Sequence, residues 1–318
     1  MGRLNPGSLI VSPSPHIMDN INTSRIMLDV LIALFPAFIM SGVIFGPRAI
    51  LLTIVCVAAC VLFEAGFEYL TKKDYTVNDL SAVVTGVLLG FNLPSNLPFW
   101  MAILGAFVAI VVVKQLFGGI GQNFANPAIT ARIVLLLSFT TPMTTWPVPQ
   151  KYLGATDAVT AATPLGILNM GTNLEALPSY MDLFLGFVGG SLGETSALAL
   201  LIGGIYLLWR RVIQPWIPLA FIGTVFVFAL LVGQDPVFHI LAGGVMLGAF
   251  FMATDYATTP LTTSGKIIFG LGCGLITMLI RVYGSYPEGV SFSILLMNIL
   301  TPLIDSATRR KTYGGVIK

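Results

Sequence analysis

Charge is what this sequence has least of. Asp, Glu, Lys and Arg make up 9% of its 318 residues, against roughly a quarter in ordinary soluble domains. So thin a supply cannot cover the surface of a water-soluble globule. A mean hydropathy of +0.89 excludes disorder too, because disorder needs low hydrophobicity and high charge. A basic field is missing as well: the net charge is +2, too little to neutralise a run of phosphates, so no nucleic-acid partner is expected. Cysteine is scarce. Cys56, Cys60 and Cys273 form no Cys-x-x-Cys pair, and Cys56 and Cys60 lie four apart on one apolar helical face, as small buried hydrophobes do. No disulfide framework or thiolate cluster within the chain is expected. His16 and His239 are isolated, so no metal site is expected, and no residue is singled out as catalytic. The opening stretch Met1–His16 lacks an apolar core, and a cleavable signal peptide is not expected.

Apolar runs are abundant, at 56% hydrophobic residues. A helix crossing a bilayer needs about 20 mostly apolar residues, fewer where it is broken inside the protein. That rule places spans near 26–46, 48–70, 80–93, 97–117 and 127–141, then near 193–209, 216–232, 237–252, 266–283 and 288–304. The apolar piece Leu183–Gly190 is too short to cross and is expected to lie in the interface or re-enter. The expected fold is an all-α polytopic membrane protein of about ten spans. Gly86–Gly90 in the third segment parallels Gly244–Gly248 in the eighth, and Asn123–Ile129 parallels Asn298–Ile304. Two five-helix repeats in one chain are inverted relative to each other, because an odd number of crossings flips the second copy.

The basic residues set the orientation. With the N-terminus cytoplasmic, that side holds Arg3, Arg25, Lys72, Lys73, Lys114, Arg210, Arg211, Lys266, Arg309, Arg310, Lys311 and Lys318. The opposite side holds Arg48, Lys151 and Arg281, and Arg132 lies inside the fifth span. The segments are then a cytoplasmic 1–25, a first repeat 26–141, an outer loop 142–182, a second repeat 183–304 and a basic cytoplasmic tail 305–318.

The outer loop carries Asp157-Ala158-Val159-Thr160-Ala161-Ala162-Thr163. This run resembles the flavin-attachment motif Asp-x-x-Ser/Thr-Gly/Ala-Ala-Thr, whose last Thr carries FMN through a phosphoester. Ser14-Pro15-His16, Arg25–Leu31, Asn123–Pro127 and Ala253-Thr254-Asp255, with the ten-span count, resemble the D subunit of Rnf-type ferredoxin:NAD oxidoreductases. The chain is similar, more distantly, to the B subunit of sodium-translocating NADH:quinone oxidoreductase. The resemblance covers essentially the whole chain. It implies covalent FMN on Thr163, with Asp157, Thr160 and Ala162 completing the attachment motif. It also implies a relay of electrons between ferredoxin and NAD coupled to export of Na⁺ or H⁺. Similar proteins can hold a second, noncovalent flavin within the bundle, which makes riboflavin a further cofactor to look for. Implied partners are the iron–sulfur and second covalent-FMN subunits of the complex, membrane lipid and, during maturation, a flavin transferase. The implied location is the bacterial cytoplasmic membrane. A Thr hydroxyl is a poor nucleophile at neutral pH, and no His lies near Thr163, so attachment needs an external enzyme. Ala161 and Ala162 are small and are expected to leave Thr163 accessible to it.

Ionisable residues within spans are functional candidates. Asp29, Glu64, Glu68 and Asp255 are the candidates for an ion path, Glu64 and Glu68 sharing one helical face. Lys114, Arg132, Glu194 and Arg281 also lie near or within spans. Inverted five-helix repeats with broken helices also resemble the urea-transporter architecture, and fold does not fix function. A channel or a scaffold subunit therefore stays open, with the 157–163 run as the discriminating feature.

Overall fold

The computed structural model describes residues 22–72, 76–149, 160–170, 177–284 and 289–309. Asp157, Lys151 and His16 lie outside the described residues. Proline and glycine cut the apolar chain into helices. α1 (Thr23–Phe45) starts at Asn22, whose side chain accepts the Arg25 N–H, and stops at Gly46, φ 83°. Pro47 then opens α2 (Pro47–Thr71) at the position where a missing N–H costs nothing. α3 (Ser81–Phe91) runs into a buried Asn-Leu-Pro-Ser-Asn-Leu-Pro stretch, and α4 (Phe99–Phe107) opens after Pro98. α5 (Pro127–Ser138) is capped by the Asn126 side chain, and the single turn α6 (Thr140–Met143) follows. Two short helices, α7 (Pro164–Met170) and α8 (Tyr180–Leu185), belong to the long connection.

In the second half come α9 (Ala197–Trp209) and α10 (Trp216–Val232), then α11 (Pro236–Leu241) and α12 (Val245–Leu247). α13 (Thr263–Tyr283) and α14 (Val290–Thr308) complete the order. Helical residues fall at each of the ten expected places, the eighth divided among α11, α12 and a π-helical turn, Gly248–Met252. Among the described residues, four (α1, α2, α13, α14) are long and apolar enough to cross a membrane by themselves. With the shorter apolar helices α3, α4, α5, α9 and α10 they describe a multi-pass membrane protein.

Small residues set the packing, as they do where lipid tails and side chains are equally apolar. A Cβ at Gly86 would lie 2.6 Å from Val57 Cα, and one at Gly90 3.1 Å from Thr53 Cα, so α3 lies flat on α2. Gly270 and Gly274 do the same for α13 against α10. A Cβ at Gly203 would run into the Ala33 carbonyl oxygen, so α9 crosses α1 nearly backbone to backbone and joins the two halves.

Two features depart from the sequence reading. The fourth span is not one uniform helix: α4 continues as a π-helical segment, Val108–Gln115. The wider turn brings the consecutive residues Lys114 and Gln115 to the same carboxylate on α2. The Asn–Pro stretches paired above do different work. Asn126 and Pro127 start α5, whereas Asn298 and Pro302 lie inside α14. The Gly pairs differ likewise, Gly86 and Gly90 inside α3 and Gly244 and Gly248 on either side of the single turn α12.

Candidate functional site

The segment around Thr163 is placed by backbone first. Trp146–Pro147 and Thr160–Ala161 pair antiparallel, Trp146 opposite Ala161 and Pro147 opposite Thr160. Ala162 follows in the open. Thr163 does not: it is 8% exposed, and its Oγ1 accepts the Gly166 N–H at 3.0 Å, capping the first turn of α7. Leu165 (3% exposed) pulls that turn down into a small apolar cluster with Leu183, Phe238 and Ala242, which Leu241 joins to the main core. The expected accessibility of Thr163 is therefore not what the fold presents, because its hydroxyl caps a helix that is docked. Beneath it is a cavity of about 10 Å³, room for one water. Gly189, Gly190, Glu194 and Thr195 line that cavity with Gly243. A Cβ at Gly166 would lie 3.1 Å from Thr163 Oγ1. The residues present fit a phosphoester on this oxygen in one respect: glycines border the hydroxyl, and an N–H already points at it. Thr160 is described in its backbone alone.

Glu194 belongs at the same time to a buried polar knot. Arg132 on α5 donates from Nη1 to Glu194 Oε1 (2.6 Å), Asn92 Oδ1 (2.8 Å) and Ser291 Oγ (3.1 Å). Asn92 in turn donates to the Leu88 carbonyl, closing the end of α3. A second arginine serves the break in the eighth segment. Arg281 on α13 donates to the carbonyls of His239 (2.6 Å) and Ala242 (3.0 Å), and Gly243 then turns the chain at φ 67°.

The four ion-path candidates do not meet in one place. Asp29 ties α1 to α9, accepting from Tyr206 (2.9 Å) and Arg210 (3.2 Å). Glu68 accepts from the Thr76 N–H and hydroxyl and closes the turn after α2. Glu64 is fully buried and pairs with Lys114 at 2.5 Å, its Oε1 also taking the Gln115 amide. Lys114 reaches Ser81 as well, and it lines a half-open cavity between α1, α3, α9 and the 248–257 segment. Asp255 lines the same cavity with Thr85, Asn123, Asn126 and Thr254. Burial pushes the Asp255 carboxyl above the usual carboxylate range. The Ala257 N–H, Thr258, Asn123 and, at longer range, Lys114 draw it back in part. Lys114 is thus the link between two candidates the sequence left separate.

Sequence reasoning flagged Arg132, Glu194, Lys114 and Arg281 individually but not their partners. Opposite charges inside spans were the available signal, since a lone one is costly in a bilayer. Among the described residues, no three His, Cys, Asp or Glu side chains gather as a metal site, and the three cysteines are buried and free.

Comparison with known proteins follows the same lines. The family model described as NQR2, RnfD, RnfE family matches residues 10–314. The chain is 54% identical over 313 residues to the D subunit of the Na⁺-translocating ferredoxin:NAD⁺ oxidoreductase complex of Acetobacterium woodii, covering 98% of this chain and 97% of that one. It is 43% identical to the D subunit of the proton-translocating ferredoxin:NAD⁺ oxidoreductase complex of Clostridium ljungdahlii, covering 96% of each. Against the D subunit of the ion-translocating oxidoreductase complex of Escherichia coli K12 it is 36% identical over 96% of this chain and 98% of that one. A match of this length, over a helical bundle with charges paired inside it, is decisive: the chain belongs to the NQR2, RnfD, RnfE family.

Proposed function

We propose that the chain is the D subunit of an Rnf-type ion-translocating ferredoxin:NAD oxidoreductase and carries FMN on Thr163. The observation that carries this reading is the end-to-end similarity to the D subunits of two ferredoxin:NAD⁺ oxidoreductase complexes and of one ion-translocating oxidoreductase complex, in a chain whose 157–163 run has the attachment pattern. Bound FMN would accept and release electrons one or two at a time. The chain's own part is to hold it. Thr163 supplies the ester oxygen, and the Gly166 N–H points at that oxygen. Glu194 brings a carboxylate to the same cavity, but Arg132 balances it, so the site's fixed charges largely cancel.

Two inverted five-helix repeats and an outer position for the 142–182 loop form part of the reading, supported by the ten helical places and the basic-residue count. The Asp255 cavity supports a second, noncovalent flavin such as riboflavin. Leu88, Phe250 and Phe251 give it apolar walls, and the Asn123 and Asn126 amides offer both donors and acceptors. The ion is Na⁺ or H⁺, as the relatives' names include both. Glu64 and Asp255, joined through Lys114, are its best-supported carriers.

The test is flavin fluorescence in a denaturing gel of the native complex. The wild-type band should fluoresce and a Thr163→Ala band should be dark, with the Thr163 peptide heavier by one FMN group in mass spectrometry. A dark wild-type band would remove the flavoprotein reading. A thiol introduced at Ala162 should react with an impermeant reagent from outside the cell, and reaction from the cytoplasm alone would reverse the orientation.

A further inference from the structure

Phosphoryl transfer to a hydroxyl requires one clear face on the oxygen, along which phosphorus and its leaving group can line up. Thr163 offers none. The residue is 8% exposed, its Oγ1 is held by the Gly166 N–H, and the space beneath is about 10 Å³. That volume takes a water and not a phosphate, still less the dinucleotide from which a transferase draws FMN. Leu165, next but one in the chain, fixes this arrangement. Its side chain is 3% exposed among Leu183, Phe238 and Ala242, and any Cβ at Gly243 would lie 2.9 Å from its Cδ1.

We infer that the form of this chain modified at Thr163 is an opened one, in which Pro164–Met170 has left its seat, and that Leu165 sets how often that form arises. The inference rests on Thr163 being the attachment site. A seven-residue helix is too short to persist alone in water, so undocking Leu165 also melts the turn that Thr163 caps and frees its hydroxyl. Local opening of this kind draws on few apolar contacts, and the cluster around Leu165 is small. In the opened form the Thr163 oxygen bonds to the FMN phosphorus of flavin adenine dinucleotide. The anhydride between the two phosphates breaks, AMP leaves, and the hydroxyl proton passes to a base of the transferase. No electron changes hands.

The experiment uses the full chain in membranes from a host without the transferase, treated with purified transferase, flavin adenine dinucleotide and Mg²⁺. Initial rates are read as covalent fluorescence in gels. Leu165→Ser should be modified about tenfold faster than wild type, the scale expected for unseating one buried leucine. A rate equal to or below wild type overturns the inference. A second measurement does not depend on that variant folding. In otherwise unaltered chains, the thiol of Thr163→Cys should react with maleimide roughly tenfold more slowly than that of Ala162→Cys, and equal rates overturn it as well. The two failures stay distinct. If wild type never becomes fluorescent, or Thr163→Ala does, the attachment site is wrong. If wild type is modified at Thr163 and Leu165→Ser makes no difference, only the opening is wrong.

Discussion

Two of the breaks between helices, after α3 and after α11, are satisfied differently. Where α3 ends, the Asn92 amide closes the last turn and Arg132 secures the Asn92 side chain. Where α11 ends, Arg281 donates straight to two carbonyls. Backbone groups freed inside a membrane must find partners in the protein. Both breaks draw on an arginine from a neighbouring helix, because its several donors are fixed in one plane and it stays charged. Arg132 also neutralises Glu194, whereas the carbonyls of His239 and Ala242 that accept from Arg281 are neutral.

That difference ranks the expected losses. Arg132→Ala leaves a buried carboxylate without its partner and should cost about 3–5 kcal/mol. In a thermal-shift assay on purified protein the midpoint should fall by roughly 10 °C. Arg281→Ala strands two carbonyls and should cost about 2–3 kcal/mol, with faster amide exchange confined to 236–247. If Arg281→Ala proved the costlier of the two, the charge on Glu194 would not be what separates the breaks.

The smallest effect concerns a carboxylate that neither arginine serves. Asp255 is met by hydrogen-bond donors and a distant lysine, and burial raises its value. A raised value means the folded chain binds that proton more tightly than the unfolded chain. Its destabilising effect is therefore absent at low pH and grows as pH rises from the ordinary carboxylate value through the raised one. Asp255→Asn should lift the midpoint by about 1–3 °C at pH 8 and by less at pH 4. An equal gain at both would show that its charge is not the cause.

The apolar helices were legible because apolar runs and their Gly and Pro punctuation are local signals. Pro47, Pro127 and Pro236 each open a helix where the sequence breaks. The motif around Thr163 was legible as a pattern of residue types. Its burial was not, because Leu165 finds Leu183 and Phe238 only in three dimensions. Partnership among charges was equally hidden. Arg132 and Glu194 are 62 positions apart, and Lys114 and Glu64 are 50 apart. The π-helical turn that carries Lys114 and Gln115 meets a carboxylate from another helix, a partner no local pattern names. Asn123 and Asn298 showed the converse hazard, since similar strings ended up in different roles.

The crossing of α1 and α9 also has a consequence in time. Asp29 waits for Arg210, which is 181 residues later in the chain. At translation rates of about 5–20 residues per second, that interval lasts roughly 10–35 s. Throughout it the first helix sits in the bilayer with an acidic group and a bare backbone groove at Ala33, both shaped for a helix not yet made. Biogenesis of this protein thus contains a fixed period of vulnerability, set by the distance along the message between two residues.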